Sequence, residues 1–146
     1  MNNDISRNEQ DFEPVQPSGF GAHAGPVLRG RDADGQVYLF EVEEHHLNGG
    51  DRLHGGMMMT LASMVLGDVA GAAAARNGPD AEARVLSLNC DFVSAGAKGE
   101  QITGRAHVTR ATRTVLFISG ELRVGERILM SATGVYAIKN TDAGKP

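Results

Sequence analysis

The loop from residue 48 to residue 56 carries the residue types best suited to chemistry. Asn48 is separated by five residues from His54, and Gly55 and Gly56 follow directly. A long apolar run comes next, so these residues stand where a helix should begin. The first turn of a helix has unpaired backbone N–H groups and a partial positive charge, and glycine allows a ligand to approach them closely. Two interpretations follow: an ordinary turn before a core helix, or a binding site at the helix entrance.

The segment from Met57 to about Arg76 is predicted to be one long helix, because the Asn-Gly-Pro sequence after it is a strong stop signal. It is apolar on every side, so other elements should enclose it. About 20 apolar residues would also cross a bilayer. However, Asp68 lies near the middle, and Ala and Gly predominate over Leu and Ile. We therefore expect a buried central helix and no membrane partner.

Two strands are predicted before this helix and four after it. A turn at Asp34-Gly35 joins the first two, and the second runs from Gln36 to about Glu44. The later strands occupy residues 83–93, 100–111, 112–124 and 127–139, with connections short enough for antiparallel neighbours. A helix of about 20 residues spans ~30 Å, and a curled sheet buries it economically. The expected fold is α+β, with a curved antiparallel sheet wrapped around one long helix.

Length and composition limit the class of protein. The chain has 146 residues, enough for one domain, which we place at residues 20–140 between disordered tails at 1–19 and 141–146. A net charge of −4 argues against a nucleic-acid partner. Cys90 is the only cysteine, so a reducing cytoplasm fits best and a cysteine-based zinc cluster is excluded. His45 and His46 are adjacent near a strand, where they would point to opposite faces, so we expect no metal.

The order of elements resembles the hotdog-fold acyl-CoA thioesterases, particularly the group related to phenylacetic-acid-pathway thioesterases. The resemblance covers residues from about Phe20 to Lys139. It is carried by Asn48 at its spacing from "HGG", by the pattern Leu61-Ala62-x-x-x-Leu66-Gly67, and by the stretch "SLNCDFVSAGAKGEQITGRAHV". It implies hydrolysis of a small-to-medium acyl- or aryl-CoA to the free acid and coenzyme A, with no further cofactor. It also implies a homodimer, assembled as a tetramer of two dimers, with sites at the protomer boundary.

The resemblance also implies roles for the residues at the helix entrance. Thioester hydrolysis builds negative charge on the carbonyl oxygen, and fixed donors stabilise that charge. The Gly55 N–H would polarise the carbonyl, with Gly56 allowing close approach of the substrate. Asn48 would position the substrate or the attacking water from the loop. His54 would order the loop and bond to the thioester or to neighbouring backbone.

Further residues are assigned to the rest of the ligand. By resemblance, Arg113 lies near the nucleotide part of coenzyme A, where a guanidinium suits phosphate. Val85 lies in the strand that borders the thioester, at a position where the family often has a small hydroxyl residue. Met57, Met58 and Met59 either line an acyl pocket or fill the core. We expect Cys90 to be a buried strand residue without a redox role.

Ser63 departs from the family, which usually has Asp or Glu nine residues after the histidine. A serine hydroxyl is not a general base near neutral pH and needs a partner base to act as a nucleophile. Ser63 either fills space in helix packing, holds water, or is activated by His54 across a subunit boundary. Asp68 is a poor substitute, since five residues leave it about 140° around the helix. We expect it to be buried and paired with an arginine or backbone donors.

The departure at Ser63 also keeps two other functions open. One is a protein that binds or senses acyl-CoA without hydrolysing it. The other is a hydratase or dehydratase acting on enoyl thioesters. That chemistry generally needs an acid and base pair on one loop-helix unit, and the sequence shows no such pair.

Overall fold

A computed structural model of the chain describes residues 11–141. Residues 1–10 and 142–146, which belong to the predicted tails at 1–19 and 141–146, lie outside the described residues. The elements, in chain order, are β1 (Glu13–Val15), α1 (Gly19–Ala24), β2 (Val27–Asp32), β3 (Gly35–Glu41), a 3₁₀ helix (Glu44–His46), α2 (Gly55–Ala75), β4 (Ala81–Phe92), β5 (Gln101–Ala111), β6 (Val115–Val124) and β7 (Arg127–Asn140).

The seven strands form one antiparallel sheet in the order β1-β2-β3-β5-β6-β7-β4. The sheet curls around α2, which packs against β4, β5, β6 and β7. This arrangement confirms the predicted fold, a curved antiparallel sheet around one long helix. Among the described residues, the strand order leaves β1 at one edge and the much longer β4 at the other, so β4 is the long edge strand of the sheet.

The central helix is enclosed as its composition predicts. By length and composition it could also cross a membrane, but eight of its residues are buried against the sheet: Met58, Leu61, Ala62, Met64, Val65, Leu66, Ala70 and Ala74. Close approach of the sheet requires glycine at Gly120, where a Cβ would lie 2.9 Å from the Leu66 Cδ1 atom and 2.7 Å from a backbone oxygen. The helix is therefore part of the core of the fold.

Two sequence predictions about the sheet are wrong. Part of the predicted N-terminal tail is ordered, since β1 pairs with β2, so the domain begins before residue 20. β4 and β5 are not neighbours, although only eight residues separate them; β4 pairs with β7, and β5 lies between β3 and β6. The connection instead crosses the start of α2, where the Leu53 amide donates to the Gly96 carbonyl at 2.9 Å. It thereby holds the loop that precedes the helix.

Candidate active site

The loop before α2 is anchored by His46, which the sequence analysis did not assign to the site. Its ring is buried; Nδ1 accepts a hydrogen bond from the Glu43 amide (3.0 Å), and Nε2 donates to the Ala24 carbonyl (2.8 Å). Its own carbonyl accepts from the His54 amide at 2.9 Å. Burial, more than the nearby charge of His45, lowers the pKa of His46. The residue is therefore a neutral anchor that fixes the backbone position of His54.

The prediction that His45 and His46 point to opposite faces is wrong. They lie in a 3₁₀ helix rather than a strand, and their ring centroids are 3.9 Å apart. Together with Glu43 they could surround a metal ion. However, both ring nitrogens of His46 already have hydrogen-bond partners. A metal would have to displace one of these bonds, which leaves only two exposed ligands, so the cluster is poorly suited to a metal.

The side-chain oxygen of Asn48 folds the loop. Its Oδ1 atom accepts hydrogen bonds from the Gly50 amide (2.8 Å) and the Arg52 amide (3.2 Å). The backbone N–H of Asn48 closes this turn, since it donates to the Arg52 carbonyl at 2.7 Å. Because the oxygen is engaged in the turn, the Nδ2 amino group is the part of the side chain left for a ligand. Asn48 can thus donate to a substrate but is poorly placed to accept from a water molecule.

His54 is the N-cap of α2. Its Nδ1 atom accepts from the Gly56 amide at 2.9 Å, and its carbonyl accepts from the Met58 amide at 3.0 Å. Among the residues that the structure describes, neither the Gly55 amide nor the Met57 amide donates a hydrogen bond. These two first-turn N–H groups are the donors that a helix leaves unpaired at its start. The predicted entrance therefore presents free amides together with the positive end of the helix dipole.

The cap also fixes which nitrogen of His54 carries the proton. Because Nδ1 accepts the Gly56 amide hydrogen, the ring hydrogen of the neutral imidazole lies on Nε2. The exposed Nε2–H is then a hydrogen-bond donor and not a base. This geometry argues against activation of Ser63 by a neutral His54, which was one of the alternatives left open by the sequence.

Ser63 is exposed on α2, and Met59 and Gly55 precede it at four-residue intervals. Residues at this spacing lie along one side of a helix. Among residues 11–141 no hydrogen-bond partner of the Ser63 hydroxyl is seen, whereas the Thr60 hydroxyl bonds back to the Gly56 carbonyl at 2.9 Å. The side of α2 that begins at the free Gly55 amide therefore carries a thioether and a free hydroxyl, but no carboxylate.

Asp68 lies elsewhere on the helix and is paired, as predicted. Its carboxylate accepts two hydrogen bonds from Arg29 Nη1 on β2 (2.7 and 2.9 Å) and one from the Tyr38 hydroxyl on β3 (2.5 Å). Burial, and next this hydrogen bond, raise the pKa of Tyr38. Bonds to Glu13 and Asp68 raise the pKa of Arg29. Asp68 therefore ties α2 to one side of the sheet and does not face the helix entrance.

Two predicted ligand contacts lie far from the entrance within one chain. The Gly55 end of α2 meets Phe92, at the end of β4, whereas Val85 lies seven residues earlier, roughly 20 Å back along the strand. Arg113 is in the turn before β6. The first residue of β6, Val115, pairs with Ala137 on β7, and Ala137 also pairs with Arg84, the neighbour of Val85 on β4. Arg113 and Val85 are therefore at the opposite end of the sheet from Gly55.

Phe92 is a second site residue that the sequence analysis did not single out. Its Cε1 atom lies 3.4 Å from the position that a Cβ on Gly55 would occupy, and 54% of the residue is exposed. The sequence did hold a signal, since a strand that follows a long helix and returns along it must end near the helix start. By contrast, nothing in the pattern around His46 indicates its anchoring role.

Fold and site together define a hotdog-fold protein with free amides at the entrance of its central helix. Residues 50–131 match the family model of the thioesterase superfamily. The chain therefore belongs to the thioesterase superfamily.

Three similar proteins show how far this similarity extends. A candidate esterase of Pseudomonas aeruginosa, PA0474, is 32% identical over 113 residues, which cover 77% of this chain and 82% of the relative. Zebra fish thioesterase superfamily member 2 superposes with a TM-score of 0.66 at 23% identity, over 86% of this chain and 91% of the other. A hypothetical thioesterase from Streptococcus pneumoniae, solved with coenzyme A, has a TM-score of 0.63 and 20% identity, over 72% and 78%.

Proposed function

We propose that the protein is an acyl-CoA thioesterase of the phenylacetic-acid-pathway type, acting on small-to-medium acyl- or aryl-CoA. The observation that carries the proposal is the free Gly55 amide at the start of an enclosed helix. Membership of the thioesterase superfamily supports it, as does the coenzyme A bound to a structural neighbour of the same fold. A cytoplasmic location and a reaction without a further cofactor are part of the proposal.

The helix entrance would act on the thioester carbonyl. Water adds to the carbonyl carbon, the oxygen becomes an oxyanion, and the amides of Gly55 and Met57 stabilise it with the helix dipole. The Nδ2 group of Asn48 and the Nε2–H of His54 are further donors at the same entrance. The carbon–sulfur bond then breaks, and coenzyme A leaves as a thiolate that takes up a proton while the free acid is released. In this scheme the chain supplies charge stabilisation, and Ser63 at most orients the water.

A site that also includes Val85 and Arg113 requires a second copy of the chain. The edge strand β4 exposes Val85 (57%) and Leu86 (64%), and long apolar edges pair readily with another strand. Antiparallel pairing of two β4 strands sets the start of one beside the end of the other. The partner subunit's Val85 and Arg113 would then approach the Gly55 entrance, as the resemblance implies. We therefore propose a homodimer, assembled further as a tetramer of two dimers.

The assembly is tested by light scattering on wild type and on Leu86→Asp. Wild type should have at least twice the chain mass of 15.4 kDa, and a charge at the exposed edge should lower it. Phe117→Asp, at another exposed apolar residue (39%) on the interior strand β6, is the control and should keep the wild-type mass. A wild-type monomer at micromolar concentration would contradict the proposed assembly.

One observation favours a second function, an acyl-CoA binding protein without turnover. Ser63 stands where the family usually has a carboxylate, and the capped His54 does not supply a base in its place. Both functions use the same entrance, because free amides also bind a carbonyl that is not hydrolysed. Turnover is therefore the property that separates them.

The deciding experiment follows free thiol release from a panel of acyl-CoA esters in wild type, Ser63→Asp and Ser63→Ala. We expect release above the uncatalysed rate in wild type, little change in Ser63→Ala, and a gain of about tenfold or more in Ser63→Asp, because a general base typically contributes 10²–10⁴-fold. Calorimetry on the same esters completes the test. Tight binding without release in wild type would replace the thioesterase proposal with the binding protein.

A further inference from the structure

Exposed apolar side chains are concentrated around the helix entrance and the β4 edge. Among residues 11–141, five of the eight exposed large hydrophobic residues lie there: Met59, Val85, Leu86, Phe92 and Val93. Pairing of two β4 strands accounts for Val85 and Leu86, which lie on the edge itself. Phe92 and Met59 stand out from the others, because Phe92 ends β4 beside Gly55 and Met59 follows Gly55 by one helical turn.

The ring of Phe92 lies on the helix side of the sheet. Cys90 and Leu88, two and four positions earlier on the same face, pack against the core. Phe92 pairs with the buried Met130, and its Cε1 atom lies 3.4 Å from the position that a Cβ on Gly55 would occupy. One edge of the ring therefore lies beside Gly55, while more than half of the residue remains uncovered.

Met59 is a second exposed apolar residue near Gly55. It lies one helical turn beyond Gly55 on the same side of α2, and 40% of it is exposed. A thioether adapts to ligands of different shape, and an aromatic ring offers a flat apolar face. The donor that would hold a thioester oxygen is thus bordered by one flat and one adaptable apolar surface.

We infer that Phe92 is a specificity-determining residue that selects a flat acyl group, one whose unsaturated carbon is bonded directly to the thioester carbonyl. The inference rests on the proposed function, since it concerns the acyl part of the same substrate. A conjugated acyl group such as benzoyl keeps its ring and carbonyl in one plane. It can therefore lie against Phe92 while its oxygen reaches the Gly55 amide. An sp³ carbon next to the carbonyl places hydrogens out of that plane and toward the ring.

The test compares kcat/KM for benzoyl-CoA and hexanoyl-CoA in four proteins: wild type, Phe92→Leu, Phe92→Tyr and Phe117→Leu. Aromatic pairing contributes a preference of about three- to tenfold. Phe92→Leu should therefore lower the benzoyl-to-hexanoyl ratio by about that factor. Phe92→Tyr keeps the aromatic ring and should keep the ratio. Phe117→Leu removes an exposed ring on the face of the sheet turned away from α2, since its neighbours Leu116 and Ile118 are buried, and it should leave the ratio unchanged.

Binding of the CoA thioethers S-phenacyl-CoA and S-(2-oxoheptyl)-CoA separates this inference from the proposed function, because the phenacyl group keeps its ring and carbonyl in one plane and neither ligand is a thioester. Phe92→Leu should weaken S-phenacyl-CoA about three- to tenfold relative to S-(2-oxoheptyl)-CoA, whether or not the protein hydrolyses thioesters. If wild type releases no thiol but this difference is found, the thioesterase proposal fails and the role of Phe92 stands. The role of Phe92 is refuted if wild type is active but Phe92→Leu changes the affinity for both thioethers equally. It is also refuted if Phe117→Leu changes the relative affinity as much as Phe92→Leu does. Light scattering on each variant checks that the assembly is unchanged.

Discussion

Replacing Asp68 with alanine should destabilise the fold without removing chemistry from the site. The carboxylate accepts two hydrogen bonds from Arg29 and one from Tyr38, and its side chain is 17% exposed. In Asp68→Ala the buried Tyr38 hydroxyl loses its acceptor, which costs about 1–2 kcal/mol. Arg29 is 35% exposed and keeps Glu13 as a partner, so loss of this ion pair costs only about 1 kcal/mol. The free energy of unfolding should therefore fall by about 2–3 kcal/mol.

Urea unfolding, followed by circular dichroism at one fixed protein concentration, measures this loss. Asp68→Asn keeps an oxygen for the Tyr38 hydroxyl and should lose about half as much. Glu13→Ala breaks only the exposed end of the network and should cost less than about 1 kcal/mol. The reasoning is refuted if Asp68→Ala matches wild type, or if Glu13→Ala costs as much. A loss of thiol release in a fully folded Asp68→Asn would instead show that Asp68 takes part in the chemistry.

Three further predictions concern the loop and the helix start. Burial lowers the pKa of His46 below its usual 6.5, so the unfolded chain binds a proton at this residue more readily than the folded chain does. The free energy of unfolding should therefore fall as the pH drops below about 6.5. His46→Gln should make the urea midpoint depend less on pH between about pH 5 and 8. A wild-type slope that persists in the variant would contradict this. Gly56→Ala places a Cβ 2.9 Å from the His54 ring, so the ring must move and its cap on the Gly56 amide is lost. This loss should lower the stability measured by thermal unfolding by about 1 kcal/mol. Unchanged stability would show that the ring moves freely. Asn48→Asp keeps the oxygen that folds the loop but removes the amino group; thiol release should fall about tenfold or more with the fold intact, whereas an equal rate would exclude donation by Asn48.

The parts of the fold that could be predicted are those that periodicity determines. An apolar run with no polar side fits only an enclosed helix, and α2 begins and ends within two residues of the prediction. β4 to β7 likewise begin and end within three residues of the predicted runs. β1 was missed because three residues that include Pro14 are too short to show alternation.

Contacts between distant segments could not be predicted from one sequence. The anchoring role of His46 depends on the Ala24 carbonyl, 22 residues earlier in the chain, reaching its Nε2 atom. For Asp68, the sequence predicted an arginine or backbone donors as partner but did not identify Arg29. Helical geometry gives the direction of a side chain but not the residue that it meets. For Asn48, residue type alone does not indicate whether the side-chain oxygen or the side-chain amino group makes the hydrogen bonds that fold the loop.

The site itself illustrates why sequence order is a poor guide to distance in this fold. α2 and β4 run in opposite directions, so Gly55 meets Phe92 at one end, while Val85 and Arg113 lie at the other end. A helix of 21 residues spans about 30 Å, and no side chain covers that separation. If all these residues serve one ligand, as the resemblance implies, two chains must be arranged antiparallel so that opposite ends coincide. The separation within one chain is therefore itself an argument for a site shared between two copies.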